Sequence, residues 1–359
     1  MRSAAYRILD ASLNRATEGM RVVEDYTRFV LDDQSLSKLA KTLRHELASA
    51  GKRIDLDARH ASRDTQGDVG STVTTTAESH RPDAWAVCIA SCERVKQALR
   101  SLEEYGKTVD ADFAAQVERL RYQFYTLEKS IGTTRSSCER LAGARLYVLV
   151  DGQASPVEFS RLAKALVAAG VHVLQLRDKQ LDDAELVARA RLLVEATAGT
   201  LTLAIINDRP DIAAVTHADG VHVGQEEMSV KDARAIVGPQ ALVGISTHTI
   251  EQARVAVLDG ANYLGVGPLF PSETKQFDNF PGLDFARNVA EEISLPAFAI
   301  GGIDYENLPD VLATGIQRVA VGAAITSASD PAAAAQRLID LLDAAPRVAD
   351  AAADARSTA

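Results

Sequence analysis

Three cysteines in 359 residues, Cys88, Cys92 and Cys138, are too few for a disulfide framework and point to a reducing cytoplasm. Positive charge is also short. Lys and Arg number 39 against 49 Asp and Glu, a net charge of −10, which argues against nucleic acid or an anionic membrane surface as partner. No apolar run approaches the roughly 20 residues needed to cross a bilayer. Met1-Arg2-Ser3-Ala4 leads into an amphipathic helix and lacks a signal peptide's apolar middle. No P-loop is evident, and no Ser/His/Asp or Cys/His set, which disfavours covalent catalysis. What the chain has is 47% hydrophobic residues and a length that calls for two domains.

Residues 1–132 read as helical with an internal repeat. Leu9, Leu13, Ala16, Met20 and Val23 form one helical stripe, and the stepping returns 79 residues later at Cys88, Cys92, Val95, Leu99 and Leu102. Arg15, Arg21, Glu24 and Tyr26 recur at the same offset as Arg94, Arg100, Glu103 and Tyr105. A second helix follows each copy, so two helical hairpins related by a pseudo-twofold are expected. Cys88 and Cys92 replace leucines of the first copy, which marks them as buried filler rather than metal ligands. The paired Arg/Glu/Tyr sets read either as ion pairs on a solvated face or as a polar site at the pseudo-twofold axis. A long polar segment, Asp55 to Pro82, lies between the hairpins and is expected to be functional or disordered. Residues 133–143 lose the periodicity and read as a linker, and 346–359 as a disordered tail.

From 144 to 345, eight β-branched runs alternate with helical patterns. The strands begin near Leu146, Val171, Leu201, Gly220, Ala241, Asn262, Ala297 and Gln317. Ser155-Pro156-Val157-Glu158, Asp182 with Glu185, and Thr249 with Gln252 are helix-start signatures. Eight such units in about 200 residues fit a compact (β/α)8 TIM barrel. The alternative, a doubly wound open sheet, lacks a Gly-x-Gly-x-x-Gly after its first strand.

Polar residues cluster at the carboxyl ends of these strands, which in a barrel form one mouth. Gln175, Arg177 and Lys179 end the second strand; Asn207 and Asp208 end the third; Gln225, Glu226 and Glu227 follow the fourth; Ser246 ends the fifth. Ser272, Thr274 and Lys275 follow the sixth, Gly301-Gly302 ends the seventh and Gly322-Ala323 follows the eighth. Arg177, Lys179 and Lys275 are cations suited to a diphosphate, although the Ser/Thr/Lys loop taken alone also fits a solvated turn. Asp208 and Glu227 suit Mg²⁺ completed by substrate oxygens, while Asp208 could instead serve only as the N-cap of the next helix. The small residues on strands seven and eight let backbone N–H groups approach a phosphomonoester. Two anion sites and a magnesium imply two phosphorylated substrates. His222 reads as an inward barrel residue, and His248 as a polar contact at the mouth.

Gln-Leu-Arg-Asp-Lys, Ile-Asn-Asp, Val-His-Val-Gly-Gln-Glu, Gly-Ile-Ser-Thr-His, Gly-Pro-Leu-Phe-Pro-Ser-Glu-Thr-Lys and Ile-Gly-Gly-Ile occur in this order and resemble the thiamine phosphate synthase family over about residues 145–343. The resemblance implies joining 4-amino-2-methyl-5-hydroxymethylpyrimidine diphosphate to hydroxyethylthiazole phosphate, with release of pyrophosphate and help from Mg²⁺. It places Gln175, Arg177, Lys179, Asn207, Ser246 and Lys275 on the pyrimidine diphosphate, with Arg177, Lys179, Ser246 and Lys275 as catalytic residues. Asp208 and Glu227 match the metal ligands, and Ser272, Thr274, Gly302, Gly322 and Ala323 surround the thiazole phosphate. Glu227 stands where the family has aspartate, Ser272 where threonine is common, and Gly322-Ala323 where a serine is frequent. The N-terminal half resembles a helical domain fused to such synthases and proposed as an alternative hydroxymethylpyrimidine phosphate kinase. A thiazole tautomerase-like isomerase, or a non-catalytic phosphate-binding barrel with a structural helical domain, are the competing readings. Homo-oligomerisation is left open.

Overall fold

A computed structural model describes residues 2–68, 80–271 and 281–345. Ser272, Thr274, Lys275 and the tail 346–359 therefore lie outside the described residues, as does the stretch 69–79 of the polar segment. The chain divides into two compact units, residues 1–132 and 133–359.

The first unit contains α1 (Arg2–Phe29), α2 (Gln34–Gly51), α3 (Leu56–Ser62), α4 (Ala84–Gly106) and the start of α5 (Ala111–Arg140). The two repeated stripes are its core: Leu9, Ala16 and Val23 on α1, and Cys88, Val95 and Leu99 on α4, are each 0% exposed. Gly19 lets α1 approach α4, since a Cβ there would stand 2.6 Å from Val95 Cγ2. Cys88 and Cys92 are buried, and the hydrogen bond that the Cys92 thiol makes to Cys88, together with burial, pushes the Cys92 thiol far up, so it stays unreactive.

The expected i,i+3 ion pairs form from exposed arginines, but the repeated glutamates that receive them are themselves buried. Each bridges the two helices of its own hairpin: Glu24 binds Arg44 of α2 at 2.8 Å, and Glu103 binds Arg121 of α5 at 2.8 Å. Arg21 and Arg100 add the i,i+3 contacts at 3.4 and 2.9 Å. Arg15 and Arg94 are exposed, and Tyr26 is buried where Tyr105 is exposed, so the repeat is only partial at the polar positions. The described part of the polar segment is ordered by α3 and by Arg63, which donates two hydrogen bonds to the buried Asp10 carboxylate at 2.8 and 2.9 Å.

Residues 133–140 are not a loop, because α5 continues through Arg140; only 141–143 form a turn. Thr and Ser have weak helix propensity, and tertiary contacts override it here. Thr134 and Ser137 are buried, Asn262 Nδ2 donates to Ser137 Oγ at 3.0 Å, and the Cys138 thiol donates to the Ser294 carbonyl.

The second unit is a closed barrel of eight parallel strands in chain order. It runs β1 (Leu146–Val150), α6 (Pro156–Ala168), β2 (Val173–Leu176), α7 (Asp183–Thr197), β3 (Leu203–Asn207), α8 (Pro210–Thr216), β4 (Gly220–Val223) and α9 (Val230–Val237). Then come β5 (Leu242–Thr247), α10 (Ile250–Asp259), β6 (Tyr263–Val266), α11 (Gly282–Glu292), β7 (Ala297–Ile300), α12 (Leu308–Leu312), β8 (Val319–Val321), α13 (Ala323–Thr326) and α14 (Pro331–Ala344). The helix starts follow the sequence signatures: Ser155, Asp182 and Thr249 each accept from the backbone N–H three residues on. Tyr147, Val173, Ile205, Leu242, Tyr263, Phe298 and Ala320 fill the barrel interior, with Leu141 and Ala144 from the segment before β1 packed against them. Among the described residues, no helix is long and apolar enough to cross a membrane.

Candidate active site

The carboxyl ends of β2, β3 and β4 bring four of the expected residues into contact. Lys179, past β2, places Nζ 3.6 Å from Asp208 Oδ2 and 3.8 Å from Glu227 Oε1. Asn207 Nδ2 donates to Asp208 Oδ2 at 2.7 Å. Asp208 is not the N-cap of α8: that position is Arg209, without a side-chain hydrogen bond. Instead Asp208 adopts φ 59°, a left-handed conformation unfavourable to a residue with a side chain. Strain of this kind persists where the surroundings demand a particular side-chain direction. Here the Asp208 N–H is fixed to the His222 carbonyl at 2.8 Å, and the carboxylate turns toward Lys179.

Burial, followed by the facing Glu227 charge, raises the Asp208 pKa, with Lys179, Asn207 and Arg177 opposing. Two carboxylates so placed form an electron-rich pair that one exposed ammonium only partly offsets. Glu227 reaches back because residue 224 is glycine: a Cβ there would lie 2.2 Å from Glu227 Oε2. That support was not apparent from the sequence. Among the described residues no group of three His, Cys, Asp or Glu side chains gathers to hold a metal. Two carboxylates suit a hard dication whose remaining ligands are substrate oxygens and water, so Asp208 and Glu227 fit Mg²⁺.

Arg177 follows β2 and is half-buried; its charge acts on both Asp208 and His222. Its neighbour Asp178 takes a different role. Burial works against its ionisation, but the N–H groups of Gln180, Gly152 and Leu181 outweigh this and hold its carboxyl below the usual range. Those bonds tie the loop after β2 to the loop after β1. Gln175 is 2% exposed and donates from Nε2 to Tyr147 Oη at 2.8 Å.

On β5, Ser246 Oγ lies 3.0 Å from His222 Nε2, and Gln225 Nε2 donates to the Ser246 carbonyl at 2.6 Å. His222 is an inward residue, as expected, stacked on Tyr263 with centroids 5.6 Å apart. Its Nδ1 is buried and has no hydrogen-bond partner among the described residues. Desolvation, then Arg177, lowers the His222 pKa from 6.5 to about 4. The unfolded state therefore binds the proton more readily. The resulting stability is fully present above pH 6.5 and is lost as pH falls toward 4, by on the order of 3 kcal/mol. Chemical denaturation of the wild type should show this additional decline in that window, and His222→Asn should remove it; equal slopes would contradict the assignment.

The other half of the mouth is glycine-built. Gly301 and Gly302 have φ 103° and 67°, and a Cβ on Gly302 would meet Phe270 Cβ and the Pro271 carbonyl at 2.9 Å. The loop after β7 thus packs backbone to backbone against the loop after β6, and Asn307 Nδ2 donates to the Gly302 carbonyl at 2.8 Å. Gly322 precedes and Ala323 opens α13 at the carboxyl end of β8. His248 Nδ1 contacts the Gly267 carbonyl at 2.5 Å, a structural role between strand ends.

Comparison with known proteins follows the same division. Residues 146–325 match the family model described as thiamine monophosphate synthase, and residues 7–130 match that of the ThiD2 family. A thiamine-phosphate synthase of Rhodopirellula baltica is 47% identical over 328 residues, 89% of this chain and 88% of its own length. One from Gloeobacter violaceus is 41% identical, covering 90% of this chain and 93% of its own. The solved thiamine phosphate pyrophosphorylase of Pyrococcus furiosus superposes with a TM-score of 0.51 at 32% identity, covering 56% of this chain and 96% of that one.

Proposed function

The chain belongs to the thiamine-phosphate synthase family, a family of transferases, and on that premise we propose that its barrel mouth joins a hydroxymethylpyrimidine diphosphate to a hydroxyethylthiazole phosphate. The observation that carries this is the convergence of Asp208 and Glu227 on Lys179 at 3.6 and 3.8 Å. When bound by these carboxylates, Mg²⁺ would supply Lewis-acid stabilisation of the departing pyrophosphate.

The chain's own residues do the rest. Arg177 and Lys179 stabilise the charge that develops as the C–O bond of the diphosphate breaks, a role that the family resemblance also gives to Lys275. The electron pair leaves with pyrophosphate. The thiazole nitrogen then supplies its lone pair to the ring methylene and forms the new C–N bond. That nitrogen has no proton to lose, so no general base is required, and His222, with its low pKa, stays a neutral partner of Ser246. Gln175, Asn207 and Ser246 hold the pyrimidine, while the backbone at Gly302, Gly322 and Ala323, with Ser272 and Thr274, receives the thiazole phosphate.

For the helical unit, we propose that it phosphorylates the pyrimidine monophosphate to the diphosphate. Support comes from the ThiD2 match over residues 7–130. Substrates of both units are small phosphorylated heterocycles of the cytoplasm. Given the two phosphate substrates, the chain should release pyrophosphate only when Mg²⁺ is present. Binding without turnover would favour the non-catalytic barrel, and isomerised thiazole without pyrophosphate would favour the tautomerase. Supplying ATP and the pyrimidine monophosphate in place of the diphosphate should still give thiamine phosphate; its absence would leave the helical unit a structural role.

A further inference from the structure

Gln175 presents a chemical ambiguity that its own covalent structure does not resolve. The two ends of a carboxamide have opposite hydrogen-bonding sense, and the terminal torsion of glutamine is broad and roughly two-fold. In this barrel the choice is made from below. Gln175 Nε2 donates to Tyr147 Oη at 2.8 Å, and Tyr147 Oη shares a hydrogen bond of 3.2 Å with Tyr263 Oη. All three side chains are shut away from solvent: Gln175 is 2%, Tyr147 3% and Tyr263 2% exposed.

The two phenol rings are themselves fixed. Tyr147 packs on Phe298 with centroids 5.2 Å apart, and Tyr263 sits 5.6 Å from both Phe298 and His222. Gly244, paired with Tyr263 across β5 and β6, makes the room: a Cβ there would lie 2.1 Å from the ring. A hydrophobic floor needs no hydroxyls, and Phe298 in the same layer has none. The two that are present lead to one polar side chain, and that side chain is at the mouth.

We propose that Tyr147, backed by Tyr263, is a positioning residue for Gln175. Its hydroxyl holds the carboxamide in one orientation and leaves Oε1 as the end offered to an N–H of the bound heterocycle. The inference rests on the pyrimidine-diphosphate reading of the mouth. Burial, then the neighbouring Tyr263, pushes the Tyr147 pKa well above the ordinary phenol value, so the chain of hydroxyls keeps its protons at working pH. Without the Tyr147 hydroxyl, Nε2 loses its buried partner and the carboxamide is free to turn, so ligand binding must order it.

The test is a double-mutant cycle on the full-length chain with Mg²⁺. Tyr147→Phe should raise KM for the pyrimidine diphosphate about tenfold, the effect of one lost buried hydrogen bond, and leave KM for the thiazole phosphate unchanged. Tyr263→Phe, one step further away, should raise the same KM less. In a Gln175→Ala background Tyr147→Phe should cause no further rise, because its only route to the ligand is gone. A rise of both KM values together, or the same rise persisting beside Gln175→Ala, would overturn the proposal and leave the hydroxyls a packing role. A wild type that turns over neither substrate would overturn the synthase reading itself, and this inference with it.

Discussion

Asp208→Asn is expected to lower turnover by roughly a hundredfold or more while leaving the protein no less stable in the absence of Mg²⁺. The two halves of this expectation share one cause. The Asp208 pKa is raised by burial and by Glu227, so the folded state holds that proton more tightly than the unfolded chain does. Stability from this group is full below the unfolded pKa and declines as pH rises through the folded one. At neutral pH the ionised carboxylate is therefore a liability to the fold that a dication would relieve. Asparagine keeps the shape and one oxygen but removes the charge. It should shift the Mg²⁺ dependence of pyrophosphate release to much higher concentration, and the thermal midpoint without Mg²⁺ should stay level or rise. Normal turnover would remove Asp208 from the site. A clear fall in midpoint would instead make it a structural residue.

The largest effect on stability is expected in the helical unit. Glu103 is 4% and Arg121 8% exposed at the side chain, their closest approach 2.8 Å, and Arg121 also donates to Tyr125 Oη at 3.1 Å. Glu103→Ala leaves a guanidinium with little access to water beside Tyr122 and Tyr125, whose rings lie 4.5 and 5.5 Å from it. Removing one partner of a buried pair costs about 3–5 kcal/mol, because the survivor is uncompensated. Replacing both with methionine should recover much of that loss. The repeat supplies an internal control. Glu24 binds Arg44, which is 19% exposed, so Glu24→Ala should cost less. Denaturant unfolding of the three variants measures this, and a loss below about 1 kcal/mol for Glu103→Ala would show that water reaches Arg121 after all.

Much of the architecture was written locally. The eight strands start within two residues of the β-branched runs read from the chain, because each run is bounded by turn and cap residues that act over three or four positions. Ser155, Asp182 and Thr249 cap the helices they signal. The grouping of Gln175, Arg177, Lys179, Asn207, Asp208 and Ser246 was also legible, since a parallel barrel sends every strand's carboxyl end to one side.

Long-range effects were not. The helix through Arg140 forms from poor helix formers because Thr134 and Ser137 are buried in the tertiary structure, and no local rule reports that. The Asp55 to Pro82 segment read as a long polar stretch, yet Arg63 ties its first, described part to Asp10, 53 residues earlier in the chain.

The sequence by itself determined periodicity, repeat, strand order and the residue types at the mouth, for these depend on neighbours a few positions apart. Tertiary structure alone decided that Asp208 would sit at φ 59° with a raised pKa, that Gly224 would admit Glu227, and that two tyrosines would meet beneath Gln175. The physical reason is that desolvation and close packing arise between residues far apart in the chain, and they acquire values only when the barrel closes.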